Sequence, residues 1–337
     1  MSDVAKRNTI KDVARRANVS IATVSKALNN VNVVKPETKA RVIQAAKDLN
    51  YAPNLMGRQL RSGTTKMLGL FTDSVSGPYF YTLVEAISHE VARLGYGMHV
   101  VITHDHQALM DSVLGGIVDG TIIFEHTIDD HDIGQIKEHS IPTVLLDRVD
   151  SAEKMCSITF DSFKEGYEAG KYLLNLGHQR ICYVAGLDNN YDSNMRKAGF
   201  QKAVEDAGLD PNTMPILQGM FEEEASYNAV KSYLNKTENL VTAFLASNDL
   251  GAIGTIKAIQ NAGYQVPNDF SVIGFDDIDV AQYFRPPITT VRNPIARQGI
   301  MAVRLLINML NGGDGGKEER LEGKLIIRES TSLPRKK

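Results

Sequence analysis

From residue 67 onward the sequence repeats one pattern: a short apolar run ending in a polar residue, then an amphipathic stretch. The runs are MLGLFTD, GMHVVITH, GTIIFE, PTVLLD, SITFD, RICYVAG, TAFLASN and FSVIGFDD, with helical stretches such as 79–94, 163–176 and 250–262 between them. Near-continuous apolar strands belong to parallel sheets covered on both faces, and strand–helix alternation supplies the covering helices. Ligands of such sheets collect beyond the carboxyl ends of the strands. Those ends carry Asp73, Asp147, Asp161, Asn248-Asp249 and Asp276-Asp277, so polar groups are expected to converge on a cleft.

Several chemistries are excluded by what the pattern lacks. No strand is followed by G-x-G-x-x-G, and neither a P-loop nor a G-x-S-x-G elbow occurs. No nucleophile–base arrangement is visible, so no catalytic residue and no cofactor are expected. The stretch THDHQ at 103–107 offers His104, Asp105 and His106, which do not make a closed metal site, and it reads as a solvated loop. Asp276, Asp277 and Asp279 lack the spacing of a calcium loop. The two cysteines, Cys156 and Cys182, sit in strand-like runs and are expected to be buried free thiols. The N-terminus has no apolar signal core, and no run approaches the ~20 apolar residues that span a bilayer. A cytoplasmic protein without membrane contact is expected.

Charge divides the chain in two. Residues 1–66 carry 13 Lys and Arg against 4 Asp and Glu, a net +9, which leaves −12 on the rest of a chain whose total is −3. A small basic head on an acidic body marks a nucleic-acid binder with a separate second function. Within the head, TIKDVARRA reads as a helix, with Thr9 as N-cap, Asp12 as the acidic partner of a capping box, and Ile10, Val13, Ala14 and Ala17 as its apolar stripe. Asn18-Val19 is a turn, and Ser20 caps a second helix through about Leu28, with Val24 and Leu28 facing inward. Two short helices joined by a tight turn in a basic segment make a helix-turn-helix. The second helix presents Ile21, Ala22, Thr23, Ser25 and Lys26, small groups and one cation, as a face narrow enough for the major groove. A third helix follows from Pro36 to about Leu49, with Val42, Ile43, Ala46 and Leu49 as its stripe and Lys35 where a cap is expected.

The motifs TIKDVARRANVSIATVSKALN, YAPNLMGRQLRSG and MLGL together resemble the lactose repressor/purine repressor family of bacterial regulators, and the likeness continues to the C-terminus. The resemblance implies an all-α DNA-binding domain at 1–53, a hinge at 54–66 and an α/β periplasmic-binding-protein-like body at 67–337. In the family that body has two lobes with parallel sheets, here about 67–161 with 293–320 and 162–292 with 321–331. It implies DNA contacts from Thr9, Ser20, Ile21, Ala22, Thr23, Ser25, Lys26 and Asn29, with Arg58 and the minor-groove leucine Leu60 in the hinge. Positions matching the family's effector contacts are Tyr79, Phe80, Asp147, Arg196, Phe221, Asn248 and Asp276, with Asn190 and Asp192 in a contributing loop. This chain departs from the family at Gly57 (usually alanine) and Lys35 (usually serine).

The expected function is a dimeric repressor of carbohydrate-utilisation genes on a palindromic operator, governed by a sugar between the lobes. Planar carboxylate, amide and guanidinium groups beside aromatic rings suit hydroxylated rings. The alternatives are a nucleobase effector, a phosphorylated carrier protein docking near Arg304, and a sugar-binding protein or sugar-modifying enzyme. The missing signal peptide and the complete head oppose the last. A short hinge helix containing Gly57 is marginal alone. Gly57→Ala is expected to strengthen it by up to about 1 kcal/mol per subunit and to tighten operator binding. Leu60→Ala is expected to lose most specific affinity, read by operator titration of the full-length variants.

Overall fold

A computed structural model describes residues 8–28, 33–52, 63–124, 127–237 and 240–335. Asn29, Gly57, Arg58 and Leu60 lie outside the described residues. The chain divides into two compact units, 1–65 and 66–337.

The first unit has three helices, α1 (Ile10–Ala17), α2 (Ile21–Leu28) and α3 (Pro36–Asp48). Asp12 Oδ2 accepts from the Thr9 backbone N–H at 2.9 Å and from its hydroxyl at 2.7 Å, tying down the start of α1. Asn18 takes the left-handed conformation (φ 50°) that ends α1, and the Val19 N–H returns to Ala14 O at 3.0 Å. Ser20 Oγ accepts from the Thr23 N–H at 3.1 Å and so caps α2. Lys35 gives α3 no side-chain cap. Val13, Ala17, Val24, Ala27, Val42 and Ala45 close the core. Ile43 was expected there but is 38% exposed, and Ala45 takes its place. At 100° per residue, positions 43 and 45 flank the line through Val42 and Ala46 equally on opposite sides, and the side carrying Ala45 is the one the other helices cover.

The second unit holds two six-stranded sheets. The chain first runs β1 (Met67–Thr72), α4 (Pro78–Arg93), β2 (Gly97–Ile102), α5 (His106–Leu114), β3 (Gly120–Phe124), α6 (Asp130–Glu138), β4 (Thr143–Leu146) and β5 (Met155–Phe160). It then runs α7 (Ser162–Asn175), β6 (Ile181–Ala185), α8 (Tyr191–Asp206), β7 (Ile216–Gln218), α9 (Glu223–Lys236), β8 (Ala243–Ala246) and α10 (Asp249–Asn261). It ends with β9 (Ser271–Asp276), α11 (Asp279–Tyr283), β10 (Thr289–Arg292), α12 (Ile295–Leu310), β11 (Glu318–Leu321) and β12 (Lys324–Ile326). The first sheet, ordered β11-β5-β4-β3-β1-β2, is wholly parallel. The second, ordered β12-β10-β9-β8-β6-β7, is parallel except for β12. The chain crosses between them after β5, after β10 and after β11.

Helices α7 and α8 meet through glycines. A Cβ on Gly199 would stand 2.0 Å from Phe163 O, and one on Gly166 would stand 2.2 Å from Arg196 O. This approach holds α8 against the neighbouring helix and fixes where its first turns point. Gly199→Ala is expected to lower stability by about 1–3 kcal/mol, since backbone rather than a flexible side chain must yield. Thermal denaturation of the purified variant measures it.

Candidate functional site

The first turn of α2 stands open. Ile21 is 43% exposed, Ala22 and Lys26 are exposed, and Thr23 and Ser25 are half-buried, while Val24 and Ala27 are sealed in the core. No carboxylate occupies this helix, so its positive N-terminal end and Lys26 meet an approaching phosphate unopposed from within it. The small side chains let the helix backbone come close to a base edge.

In the body, a cleft of about 290 Å³ opens where strand ends of the two sheets face each other. Tyr79, Phe80, Asp147, Asn190, Asp192, Arg196, Phe221, Asn248 and Asp276 all line it. Asn190 and Asp192, expected in a loop, instead begin α8: Asn190 Oδ1 caps the helix by accepting from the Ser193 N–H at 2.9 Å, and Asp192 lies in its first turn. The helix claims them because Asn190 is followed by residues free to continue an α-helical turn. Of the other polar strand ends, Asp161 caps α7, Asp277 pairs with Arg292, and Asp249 is buried, accepting from the Ile278 N–H and the Thr290 hydroxyl.

Arg196 is the centre of the cleft wall. It is 3% exposed, donates from Nη1 to Ser247 O at 2.6 Å, and lies 4.8 Å over the Phe275 ring. Asp192 Oδ2 stands 3.6 Å from Nη2, and Asp276 Oδ1 3.7 Å from Nη1. A buried guanidinium needs such partners, because an unpaired interior charge is costly. The Ser162 hydroxyl donates to Asp192 Oδ1 at 2.8 Å and holds that carboxylate in place. Burial pushes the carboxyls of Asp192 and Asp276 up, and the guanidinium pulls both back. Asp276 Oδ1 is buried without a hydrogen-bond donor among the described residues.

Opposite, Asp147, Tyr79 and Gln298 form a closed ring. Tyr79 Oη lies 3.1 Å from Asp147 Oδ2 and 2.9 Å from Gln298 Oε1, and Gln298 Nε2 donates to Asp147 Oδ1 at 2.8 Å. One phenol proton cannot serve two acceptors at once. A proton on Asp147 resolves this, donated to Tyr79 Oη while the phenol donates to Gln298. Burial, then repulsion from Asp192, holds the Asp147 carboxyl well above the usual range and favours that proton. The Tyr79 hydroxyl is likewise pushed well above its ordinary value, by burial and then by Asp147, Asp192 and Asp276. Gln298 escaped sequence reasoning, although a polar residue on the buried stripe of α12 is a readable signal.

Phe221 and Met220 both take left-handed backbone (φ 61° and 57°), as do Asp147 (φ 59°), Asp276 (φ 99°) and Asp277 (φ 55°). Such strain in residues other than glycine gathers at ligand sites. The Phe221 ring lies over Gly186, where a Cβ would meet it at 2.3 Å. Asn248 holds this turn: Nδ2 donates to Phe221 O at 2.8 Å, while Oδ1 caps α10 by accepting from the Gly251 N–H at 2.8 Å. Asn248 therefore positions Phe221. Leu187, Met220, Leu250 and Ile278 complete the lining with apolar surface.

The THDHQ stretch is a loop through Asp105, with His104 and Asp105 exposed, and becomes helical at His106. Asp105 caps α5 by accepting from the Gln107 and Ala108 N–H groups, and His106 opens that helix. His106 Nδ1 lies 2.8 Å from Asp132 Oδ2, near Asp129. Both carboxylates already serve the capping box of α6, which accounts for their positions. Arg304, the candidate carrier-protein contact, pairs with Glu90 at 2.6 Å on the outer face of α12.

A carboxyl held above its unfolded value keeps a proton in the folded protein after the unfolded chain has lost it. The Asp147 contribution to stability is thus full below the unfolded value near pH ~4 and declines as pH rises toward the raised folded value. Asn at this position can donate to Tyr79 Oη and accept from Gln298 with no charge to bury. Asp147→Asn is expected to raise Tm at pH 7.5, with the difference vanishing below about pH 4; melting curves across pH measure it.

Residues 9–54 match the family described as bacterial regulatory proteins, lacI family, and residues 171–331 match a periplasmic binding protein-like domain. The HTH-type transcriptional repressor PurR of Mannheimia succiniciproducens is 34% identical over 330 residues, covering 96% of this chain and 98% of that one. The lac repressor dimer bound to operator and the anti-inducer ONPF is 28% identical with a TM-score of 0.83, over 97% of this chain and 100% of that one. A LacI family regulator from Enterococcus faecium with bound ribose is 27% identical with a TM-score of 0.73, over 79% of this chain and 99% of that one. The expected helix-turn-helix head and two-lobed α/β body are therefore those of known repressors rather than of enzymes, and the chain belongs to the lacI family of bacterial transcriptional repressors.

Proposed function

We propose that this repressor binds a sugar or sugar-like effector in the body cleft, and that occupancy sets its hold on operator DNA. The observation that carries the reading is the buried Asp276–Arg196–Asp192 wall, with an Asp276 oxygen lacking a donor and with aromatic rings facing it. Hydroxyl groups supply donors of that kind, and rings cover the apolar face of a pyranose or furanose. The regulator from Enterococcus faecium holds ribose, which supports the same class here. The relatives named PurR favour a second reading, a nucleobase in the same cleft.

The effector touches both lobes: Tyr79, Phe80 and Asp147 on one side, Asp192, Arg196, Phe221 and Asp276 on the other. A ligand shifts a two-state equilibrium only by its differential affinity for the two states, and bridging contacts that change with lobe orientation provide one. The helix α2 reads the operator through Ile21, Ala22 and Lys26, with Thr9, Ser20, Thr23 and Ser25 toward the backbone. A homodimer acting in the cytoplasm matches a palindromic operator. Tyr81 (67% exposed) and the exposed side chains Val100 and Ile102 on edge strand β2 support a dimer face.

Calorimetry of the full-length protein with sugars and purine bases, followed by operator titration with each ligand that binds, tests the reading. A sugar is expected to bind and to change operator affinity. Asp276→Asn is expected to weaken that sugar about tenfold or more while operator binding without ligand persists. Binding of purine bases alone would establish the second reading instead.

A further inference from the structure

The charged lining of the cleft is one-sided. Asp192 and Asp276 line it as carboxylates against Arg196 as the sole cation among the described lining residues, and Asp147, which shares a proton with Tyr79 and Gln298, lines the other side. The guanidinium is already engaged by Asp192, Asp276 and Ser247 O, and it rests on Phe275. Its charge is thus balanced from within the protein, so little of it remains for an incoming anion.

The rings have the same preference. Tyr79, Phe80 and Phe124 form a cluster with centroids 5.3–6.1 Å apart, and Phe221 enters the lining from the other lobe. Aromatic faces attract cations and repel anions through the ring quadrupole. Carboxylates and ring faces enclosing one space are the chemistry that recognises an ammonium group. A neutral sugar would leave the excess carboxyl charge unbalanced, and a phosphate would add to it.

We propose that the effector carries a positive charge, as a protonated amine on a sugar ring does, and that the cleft rejects phosphorylated sugars. This rests on the cleft being the effector site and deepens that reading. The amine lies toward Asp192 from one lobe and Asp147 from the other, whose proton passes to water as the cation arrives, so it draws the lobes together as well as selecting the ligand.

The test is calorimetry on the full-length protein with three sets matched in ring and differing in charge: glucosamine, galactosamine and mannosamine; the corresponding hexoses; and the hexose 6-phosphates. Putrescine and hypoxanthine complete the panel. A hexosamine is expected to bind about tenfold or more tightly than its hexose, with no binding by the phosphate. In Asp192→Asn, checked for folding by its melting curve, the gap between amine and hexose is expected to shrink to about threefold or less. A hexose or hexose phosphate binding as tightly as the hexosamine would overturn the positive charge and leave the sugar reading standing. Putrescine binding with no sugar binding would keep the positive charge and remove the sugar. Hypoxanthine binding without any cation, or no cation binding at all, would overturn the proposal.

Discussion

A guanidinium removed from water is the constraint around which the body is organised. Arg196 can be buried only because a helix, two strand ends and a second helix bring it partners: Asp192 from its own helix, Asp276 and Phe275 from β9, Ser247 O beyond β8, and Ser162 at the head of α7. Each partner must arrive at close to hydrogen-bonding range, so the separations of α7, α8 and the second sheet are specified together. The glycine contacts at Gly166 and Gly199 are the backbone side of that specification. Phe160, from the first sheet, also lies within 5.8 Å of the guanidinium, so the same group senses both lobes.

Such an assembly is a poor source of stability. The cost of stripping water from an ion pair commonly equals or exceeds the attraction regained, and apolar replacements of the same shape are often no worse for folding. The Asp147, Asp192 and Asp276 carboxyls, all raised by burial, make the same point from the opposite sign. Four residues with left-handed backbone in the cleft lining, Asp147, Met220, Phe221 and Asp276, add strain that no packing argument requires. A fold selected only for stability would not keep these features together, and they are intelligible as preparation for a ligand.

Much of this was legible in sequence because it follows from local rules. Apolar runs separated by helical spacing located eight of the strands, and cap and turn chemistry at Thr9, Asn18 and Ser20 located the first two helices. The resemblance to a known family then carried the nine cleft positions, which periodicity alone could not have grouped. What stayed hidden depends on tertiary pairing. The strands β7, β10, β11 and β12 have only 3 or 4 residues each, and hydrogen bonding to a neighbour rather than a long apolar run defines them. Gln298 acquires its role from Tyr79 and Asp147, some 219 and 151 residues away. The restraint that Asn248 places on Phe221 was hidden as well, because it exists only once the 220–221 turn is formed.

The division of labour along α2 has an evolutionary consequence. Val24 and Ala27 hold the helix to the head, while Ile21, Ala22 and Lys26 are exposed. Substitution on the open face therefore leaves folding nearly untouched and is screened only by which DNA is recognised. A duplicated copy of such a gene can acquire a new target sequence in a few steps without passing through an unfolded intermediate. Regulators that share this head can thus diverge in the genes they govern faster than they diverge in structure.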